Sequence, residues 1–242
     1  MRGPVGPRER ERRLGAPRLH LRLTDSTNTR ARELAAAGAP DGTLVTADEQ
    51  SAGRGRQGRA WSAPAHTSLL CSLVLREPPP LLPLIAGVAV ADTVDRQATA
   101  GGSGALIKWP NDVLLDGRKV AGILVEARPQ ADWAVLGIGL NVAVSIAQLP
   151  PELRDRAGTL GLLPTAIEPV LTELLAALER RLAAPAEAAL ESLRARDALL
   201  GRDVGWEGGR GLAAGIDRDG RLLVDAGHGR VALDAGEVHL RV

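Results

Sequence analysis

Residues 53–59 combine several cations with unusual backbone freedom, reading Gly-Arg-Gly-Arg-Gln-Gly-Arg. Glycines let a loop turn sharply and approach a ligand closely, and arginine forks pair with phosphate or carboxylate through two parallel hydrogen bonds. The segment therefore predicts a site for an anion with several oxygens. It lacks the phosphate-loop pattern GxxxxGK[ST] and the strand–turn–helix context of a dinucleotide turn. A solvated basic turn and an RGG-like nucleic-acid segment are the alternatives.

Two lysines stand out because the chain otherwise uses arginine. Of 30 Lys and Arg residues only Lys108 and Lys119 are lysine. This bias indicates that both places need a compact ammonium rather than a planar guanidinium. Lys119 directly precedes an apolar run, and a lysine entering a buried strand is costly unless an anion meets it. We expect Lys119 to face a ligand, whereas Lys108 is either structural or ligand-facing.

The asparagines and one tryptophan lie in the same polar motifs. The three Asn residues occupy positions 28, 111 and 141, the last ending the segment Gly-Ile-Gly-Leu-Asn. An amide at the end of a buried strand can bind the edge of a nucleobase. Trp61 follows the arginine-rich loop and either stacks on a base or caps the core.

The elements that must position these residues are predicted from hydrophobic periodicity. Strands are expected at residues 19–24, 43–47, 68–76, 105–109, 120–126 and 133–139. Helices are expected from a cap at 25–27 to residue 37 and at 84–97, 171–183 and 187–199. Because strands do not alternate regularly with helices, the fold class is α+β, a mixed sheet backed by helices.

Three regions are predicted along the chain. Residues 1–18 are expected to be a disordered tail, and residues 19–199 the catalytic or binding domain. After residue 200, short strands separated by glycine turns predict a small β domain of the SH3 kind. At about 42 residues it is near the size at which a core alone is marginal, so it should lean on the larger domain.

Composition limits the function classes. The chain has 242 residues, 45% hydrophobic and 24% charged, with a net charge of +1, so no overall field draws it to nucleic acid or an acidic membrane. Its longest apolar stretch, residues 81–91, is well short of the ~20 residues that cross a bilayer. A single cysteine, Cys71, excludes an internal disulfide and suits a reducing compartment, so a cytoplasmic location is expected.

Five motifs in order resemble those of biotin protein ligases, the enzymes that attach biotin to carboxylases. They are Asp-Ser-Thr-Asn at 25–28, Gln-Ser-Ala-Gly-Arg-Gly-Arg-Gln-Gly-Arg-Ala-Trp at 50–61, Lys-Trp-Pro-Asn-Asp at 108–112, Lys-Val-Ala-Gly-Ile-Leu-Val-Glu at 119–126 and Gly-Ile-Gly-Leu-Asn at 137–141. The resemblance covers about residues 19–242 and implies a class II synthetase-like catalytic domain with an SH3-like C-terminal domain. Too few residues precede the first predicted strand for a helix-turn-helix domain, so a monofunctional enzyme is expected.

The resemblance also implies an activity. Biotin would be activated by ATP as biotinyl-5′-AMP, with Mg²⁺ expected, and then transferred to a lysine of a biotin carboxyl carrier protein domain, as in acetyl-CoA carboxylase. No nucleic-acid or membrane partner is expected, and the sequence leaves a homodimer open. Asp112 lies inside the segment Ile-Lys-Trp-Pro-Asn-Asp-Val at 107–113, and no set of carboxylates that could enclose a metal ion is evident.

Site residues follow from the resemblance, position by position. The biotin ring pocket would be lined by Ser26, Thr27, Asn28 and Gln50. The biotin tail and phosphates would be held by Arg54, Gly55 and Arg56, with Lys119 at the acyl-phosphate junction; Arg56 and Lys119 are the catalytic candidates. The nucleotide would be covered by Arg59 and Trp61 and bordered by Asn111 and Asn141. One departure is residues 63–73, which lack the aromatic residues common there in the family.

Two other function classes remain as alternatives. A lipoate- or octanoate-type acyltransferase would need Cys71 to carry the acyl group, but this cysteine lies in an apolar strand without a neighbouring histidine, and a packing role is expected. A nucleic-acid-binding module would use the arginine loop and the first 18 residues, which hold six Arg and two Glu. The near-neutral total charge argues against it.

Overall fold

The larger sheet of the molecule has seven strands and is mixed. The computed structural model describes residues 13–97, 104–127, 131–227, 229–234, 236 and 238–240. The strands are β1 (Arg18–Leu21), β2 (Leu44–Ala47), β3 (Ser68–Arg76), β4 (Leu106–Lys108), β5 (Asp112–Leu115), β6 (Arg118–Ala127) and β7 (Trp133–Asn141). They lie in the order β1-β2-β3-β7-β6-β5-β4, with β1 parallel to β2 and every other pair antiparallel. The predicted α+β fold with a mixed sheet is confirmed.

Helices cover both faces of this sheet. The helices are α1 (Thr27–Ala36), α2 (Leu82–Gln97), the single turn α3 (Pro151–Arg154), α4 (Ile167–Ala183) and α5 (Ala186–Ala195). On one face, α1 packs against β3 through Ala31, Ala35 and Val74, while Leu73 and Leu75 of β3 join the core formed with α2 and α4. Because β3 is buried on both faces, it is apolar almost throughout rather than alternating.

A second sheet of five antiparallel strands follows α5. Its strands are β8 (Asp203–Trp206), β9 (Gly209–Ile216), β10 (Leu222–Ala226), β11 (Gly229–Leu233) and β12 (His239–Leu240), in the order β11-β10-β9-β8-β12. Leu222 and Val224 belong to the same buried cluster as α2, and the indole Nε1 of Trp109 donates to the carbonyl of Gly220 at 3.0 Å. The small β unit therefore shares the core of the larger one, as its size led us to expect.

The N-terminal prediction needs correction. Residues 1–12 lie outside the described residues, but residues 13–18 are packed rather than disordered. Leu14 is 8% exposed within the main core, its N–H donates to Oε1 of Glu179 at 2.8 Å, and the N–H of Gly15 donates to the carbonyl of Gly42 at 2.9 Å. Leu14 thus joins the main core although its nearest sequence neighbours are arginine and glycine, and short-range composition does not reveal this.

Within the described ranges, no helix is long and apolar enough to span a bilayer. The helix with the most buried residues among those described, α2, has 16 residues, including Leu82 and Val94 among its buried positions. Its burial is explained by packing on the sheet and on α4.

Candidate active site

A cavity opens on the α1 face of the larger sheet, where the predicted site residues converge. Its lining includes all of them except Asn141: Ser26, Thr27, Asn28, Gln50, Arg54, Gly55, Arg56, Arg59, Trp61, Asn111 and Lys119. Residues that the sequence analysis gave no assigned role also line it, among them Lys108, Asp112, Gly122, Gly137, Gly139, Gly236 and Val238. The C-terminal unit thus contributes to the cavity wall.

The cavity bottom is made of three glycines, here called the glycine floor: Gly122, Gly137 and Gly139. Gly122 and Gly139 are register partners on β6 and β7, and Gly137 lies two residues from Gly139 on the same face. A methyl group at Gly137 would overlap the amide of Asn28, and one at Gly139 would overlap the indole of Trp61. The glycines therefore leave space that any other residue would fill.

The inner end of the cavity is a polar wall, defined as Ser26, Thr27, Asn28 and Gln50. The first three are 2%, 4% and 4% exposed. The sequence analysis predicted that an oxygen of residues 25–27 caps α1, but Ser26 at the N-cap makes no such hydrogen bond. Instead, Oε1 of Gln50 accepts from the N–H of Thr27 at 2.7 Å and lies 3.1 Å from its hydroxyl. Gln50 is thereby tied to the start of the helix.

Two residues that the sequence analysis did not select hold the polar wall in place. The hydroxyl of Ser72 on β3 donates to Oδ1 of Asn28 at 2.6 Å and lies 2.8 Å from the Thr27 hydroxyl. Nδ2 of Asn28 donates to Oε2 of Glu126 at 2.8 Å. The one available signal for Ser72 was a serine in the middle of an otherwise apolar strand.

The glycine-rich segment is more regular than predicted. Its two arms pair antiparallel, with a bridge between Arg54 and Ala60, and the N–H of Gly55 donates to the carbonyl of Arg59 at 2.7 Å. The tip, Arg56–Gly58, is a single 3₁₀ turn in which Gln57 has a φ of 54°. We call residues 53–61 the glycine-rich hairpin. It carries three arginines on one paired unit instead of on an irregular loop.

Positively charged groups surround the outer end of the cavity and form a cationic rim, defined as Arg54, Arg56, Arg59, Lys108 and Lys119. Among the described residues that line the cavity, Asp112 is the one carboxylate. Its Oδ1 lies 2.6 Å from Nζ of Lys119, and that ammonium is 5.7 Å from the ring centre of Trp61. A rim of this kind attracts negatively charged ligands to the mouth of the cavity.

Burial lowers the pKa of two rim residues. Burial lowers the pKa of Arg56, and the nearby Asp112 carboxylate partly opposes this. Burial also lowers the pKa of Lys108; Asp112 again opposes, while Lys119, Arg59 and Arg156 add to the lowering. Cations that repel one another in a partly dry site are stabilised when a polyanion binds among them.

The indole of Trp61 lies across the glycine floor. Its six-membered ring approaches Gly122 and Gly139, and its buried Nε1 has no hydrogen-bond acceptor among the described residues. The flat ring thus covers the sheet surface between the wall and the rim.

The structure places Asn141 away from the cavity, unlike the other predicted residues. Its Nδ2 donates to the carbonyl of Gly158 at 2.9 Å, and its Oδ1 accepts from the Ser68 hydroxyl at 3.1 Å. Asn111, by contrast, lines the cavity and accepts from Nη1 of Arg56 at 3.4 Å. Asn141 therefore fixes the segment that follows α3, and a direct contact of its side chain with a nucleotide is not supported by this position.

The chain itself offers little to hold a metal or an acyl group. Across the described parts of the chain, no cluster of three or more His, Cys, Asp or Glu residues could hold a metal ion. Asp112 supplies one carboxylate, which matches the way Mg²⁺ binds largely through substrate phosphates and water. Cys71 is buried, and burial raises the pKa of its thiol to about 12.

Comparison with family models identifies two matching regions. Residues 20–142 match the Biotin/lipoate A/B protein ligase family, and residues 208–241 match the Biotin protein ligase C terminal domain. The first region contains the polar wall, the glycine floor and every member of the cationic rim.

Several curated proteins are similar over most of the chain. The biotin–acetyl-CoA-carboxylase ligase of Mycobacterium tuberculosis is 38% identical over 237 residues, covering 90% of this chain and 87% of that protein. The enzyme of the same name from Paracoccus denitrificans is 36% identical, covering 90% and 98%. The bifunctional ligase/repressor BirA of Bacillus spizizenii is 40% identical over 155 residues, which is 61% of this chain and 47% of that longer relative. The match therefore spans about half of the BirA length.

Among solved structures, the biotin protein ligase from Aquifex aeolicus in complex with biotin and ATP superposes with a TM-score of 0.79. It is 29% identical and the match covers 93% of this chain and 98% of that one.

Proposed function

Because the chain belongs to the biotin/lipoate A/B protein ligase family and is a biotin protein ligase, we propose that it activates biotin as biotinyl-5′-AMP. We further propose that it transfers the biotinyl group to a lysine of the biotin carboxyl carrier domain of a carboxylase. The observation that carries the proposal is one cavity with a buried polar wall at its inner end and a cationic rim at its outer end.

The polar wall suits the ureido ring of biotin, which presents two N–H donors and one carbonyl acceptor. Asn28 already uses both ends of its amide on Ser72 and Glu126. The hydroxyl of Ser26 and Nε2 of Gln50 are therefore the groups proposed to bind the ring directly, with Thr27 and Asn28 lining the pocket beside them. A site with buried donors and acceptors rejects acids that lack the ureido group, such as lipoate and octanoate.

The cationic rim suits the chemistry of adenylation. A carboxylate oxygen of biotin attacks the α-phosphorus of ATP, and the bond to the β-phosphate breaks so that pyrophosphate leaves. Two anions at ~4 Å repel by about 1 kcal/mol in water and several-fold more in a partly dry site. Arg54, Arg56 and Lys119 supply fixed positive charge against this repulsion, with Arg56 and Lys119 in the catalytic roles.

Lys119 is proposed to act at the junction of the two substrates. Its compact ammonium can follow negative charge from the carboxylate to the bridging oxygen, whereas the arginine forks fix geometry. Asp112, 2.6 Å from Nζ, holds the lysine at the cavity. When bound with ATP, Mg²⁺ would neutralise phosphate charge, and Asp112 is the residue placed to offer it an oxygen.

Arg59 and Trp61 are proposed to cover the nucleotide, and Asn111 to border it. Covering matters because the mixed anhydride must be kept from water until the lysine amine attacks its carbonyl carbon and AMP leaves. Asn141, placed outside the cavity, is proposed to act on the nucleotide side only through the backbone segment it binds. Cytoplasmic location, a homodimer, the predicted domain boundaries and the absence of nucleic-acid and membrane partners stay predictions of the sequence.

The proposal is tested by ATP–pyrophosphate exchange with biotin, lipoate and octanoate, followed by transfer to a purified biotin carboxyl carrier domain. We expect exchange with biotin alone, and label on one lysine of the acceptor. Absence of exchange with all three acids would refute adenylation, and exchange with lipoate or octanoate in preference to biotin would assign a different substrate.

A further inference from the structure

We infer that Glu126 is a positioning residue that holds Arg54 of the glycine-rich hairpin at the cavity before any ligand binds. The inference rests on the proposed function and extends it. Glu126 is the second-last residue of β6, and its side chain is 21% exposed. Its Oε1 lies 3.1 Å from Nη2 of Arg54, and its Oε2 accepts from Nδ2 of Asn28. One carboxylate therefore joins the buried wall to the hairpin.

The wall side of this connection is rigid. Oδ1 of Asn28 accepts from Ser72, which is fully buried on β3, while Nδ2 faces Glu126. Gly137 leaves the space that the amide of Asn28 occupies, so the amide is fixed by both hydrogen bonding and shape. The carboxylate of Glu126 is held in place in turn, because one of its oxygens is bound to the fixed amide of Asn28.

The hairpin side would be mobile without the connection. The Arg54 side chain is 43% exposed and extends from a glycine-flanked position. A long side chain of this kind loses much rotamer freedom when a ligand fixes it, unless the protein has ordered it already. The ion pair engages Nη2, and no acceptor for Nε or Nη1 is found among the described residues, so these two donors are left for the carboxylate of biotin. Glu126 itself does not line the cavity.

A purely structural contact between α1 and β6 is the competing explanation. Arg32 lies four residues after Asn28 on α1, and its Nη1 is 3.6 Å from Oε1 of Glu126. Arg32 does not line the cavity. It therefore provides a matched control, since its removal takes a cation from the same carboxylate without touching Arg54.

The test compares Glu126→Gln with wild type in biotin-dependent ATP–pyrophosphate exchange. Glutamine keeps an oxygen for Asn28 and loses the charge that orders Arg54. We expect the KM for biotin to rise about tenfold with kcat little changed, the range seen for directly coupled residues. In an Arg54→Ala background, the same substitution should have no further effect on this KM, and Arg32→Ala should leave it unchanged.

Each of three results would overturn the inference: a wild-type KM in Glu126→Gln, an undiminished effect in the Arg54→Ala background, or an equal rise in Arg32→Ala. If Glu126→Gln does not fold by thermal melting, Glu126→Asp replaces it; this variant keeps the charge but retracts it, and an intermediate KM is expected. Failure of wild type to exchange with biotin would refute the proposed function instead, so the two failures are distinguishable.

Discussion

The inner and outer ends of the cavity differ in burial and in how far their polar groups are paired within the protein. Ser26, Thr27 and Asn28 of the polar wall are at most 4% exposed, and most of their polar groups already bind within the protein. The side chains of Arg54 and Lys119 on the cationic rim are 43% and 37% exposed. Most polar groups of the wall are satisfied by the fold, whereas the rim gathers five cations against the two carboxylates of Asp112 and Glu126. The groups of the wall are therefore ordered before a ligand binds, whereas the positive charge of the rim is fully balanced only when an anionic ligand binds.

The largest expected effect comes from removing Lys119, the rim residue proposed to act at the junction of the two substrates. Lys119→Ala should reduce biotin-dependent ATP–pyrophosphate exchange by ~10²-fold or more, because charge developing between the two substrates loses its compact cation. The melting temperature should stay near that of wild type, since Lys119 is more than one-third exposed.

Lys119→Arg serves as the control for charge alone. A guanidinium keeps the charge and changes its shape, so substantial loss is expected here too. Exchange at the wild-type rate in Lys119→Ala would show that this residue takes no part in the reaction. The rim would then not differ from the wall in its chemical role.

The next effect concerns the wall. Gln50→Ala removes the acceptor of the Thr27 N–H and should raise the KM for biotin about tenfold while leaving the KM for ATP unchanged. The N–H of buried Thr27 is then left without its acceptor, which costs about 1–3 kcal/mol of unfolding free energy, as urea titration measures. Gln148→Ala, at an exposed position away from the cavity lining, is the matched control. Equal changes in both KM values would mean that wall and rim do not recognise separate parts of the substrates.

A smaller effect tests the charge imbalance of the rim. The pKa of Lys108 is lowered in the folded protein, so its proton is held less tightly than in the unfolded chain. The charged lysine therefore reduces stability at every pH below its folded pKa, and this cost declines as pH rises from the folded pKa to that of the unfolded chain.

Lys108→Met should accordingly raise the melting temperature of the ligand-free protein at pH 7 by about 2 °C. Added pyrophosphate should stabilise the variant less than wild type, because one of the cations facing it is gone. Thermal melts with and without pyrophosphate measure both quantities. A lower melting temperature for the variant would show that Lys108 is balanced by Asp112 and that the rim carries no excess charge there.

The smallest effect is expected at Cys71. Cys71→Ala should leave both exchange and transfer within about twofold of wild type, with at most ~1 kcal/mol lost in unfolding free energy. A thiol whose pKa is raised to about 12 by burial is not an available nucleophile at neutral pH. Loss of transfer with an intact fold would show that the Cys71 thiol acts in the reaction together with the wall and the rim. That result would favour an acyltransferase.

The rim was easier to predict from the sequence than the wall. Arginines between glycines, and a lysine in a chain that otherwise uses arginine, are local signals, and the structure places Arg54, Arg56, Arg59 and Lys119 around one cavity. The wall depends on partners distant in sequence: Gln50 is 23 residues from Thr27, and Glu126 is 98 residues from Asn28. No local pattern encodes such pairs: the Thr27 N–H is bound by Gln50, whereas Asp25, one of the predicted caps of α1, accepts from the N–H of Ser26 at 2.7 Å.

Element boundaries differed from prediction for the same reason. Strand 68–76 was predicted at its observed bounds because β3 is apolar at most of its positions. The helix predicted over 187–199 ends at Ala195, although buried Leu199 continues its apolar pattern. The carbonyl of Arg196 and the N–H of Ala198 instead bind the backbone of Ile107 on the edge strand β4. A backbone pairing between distant segments outweighed the local periodicity.

The pairing within the glycine-rich hairpin has a consequence for inhibitor design. The backbone N–H of Trp61 donates to the carbonyl of Gly53 at 2.9 Å, and Arg54 pairs with Ala60. A compound that displaces the backbone at Trp61 must therefore also shift Arg54, the residue proposed to bind its acid group. Affinity gained by inserting a group beneath the indole is reduced when the insertion also moves the hairpin. Compounds that leave residues 53–61 in place should therefore dissociate more slowly.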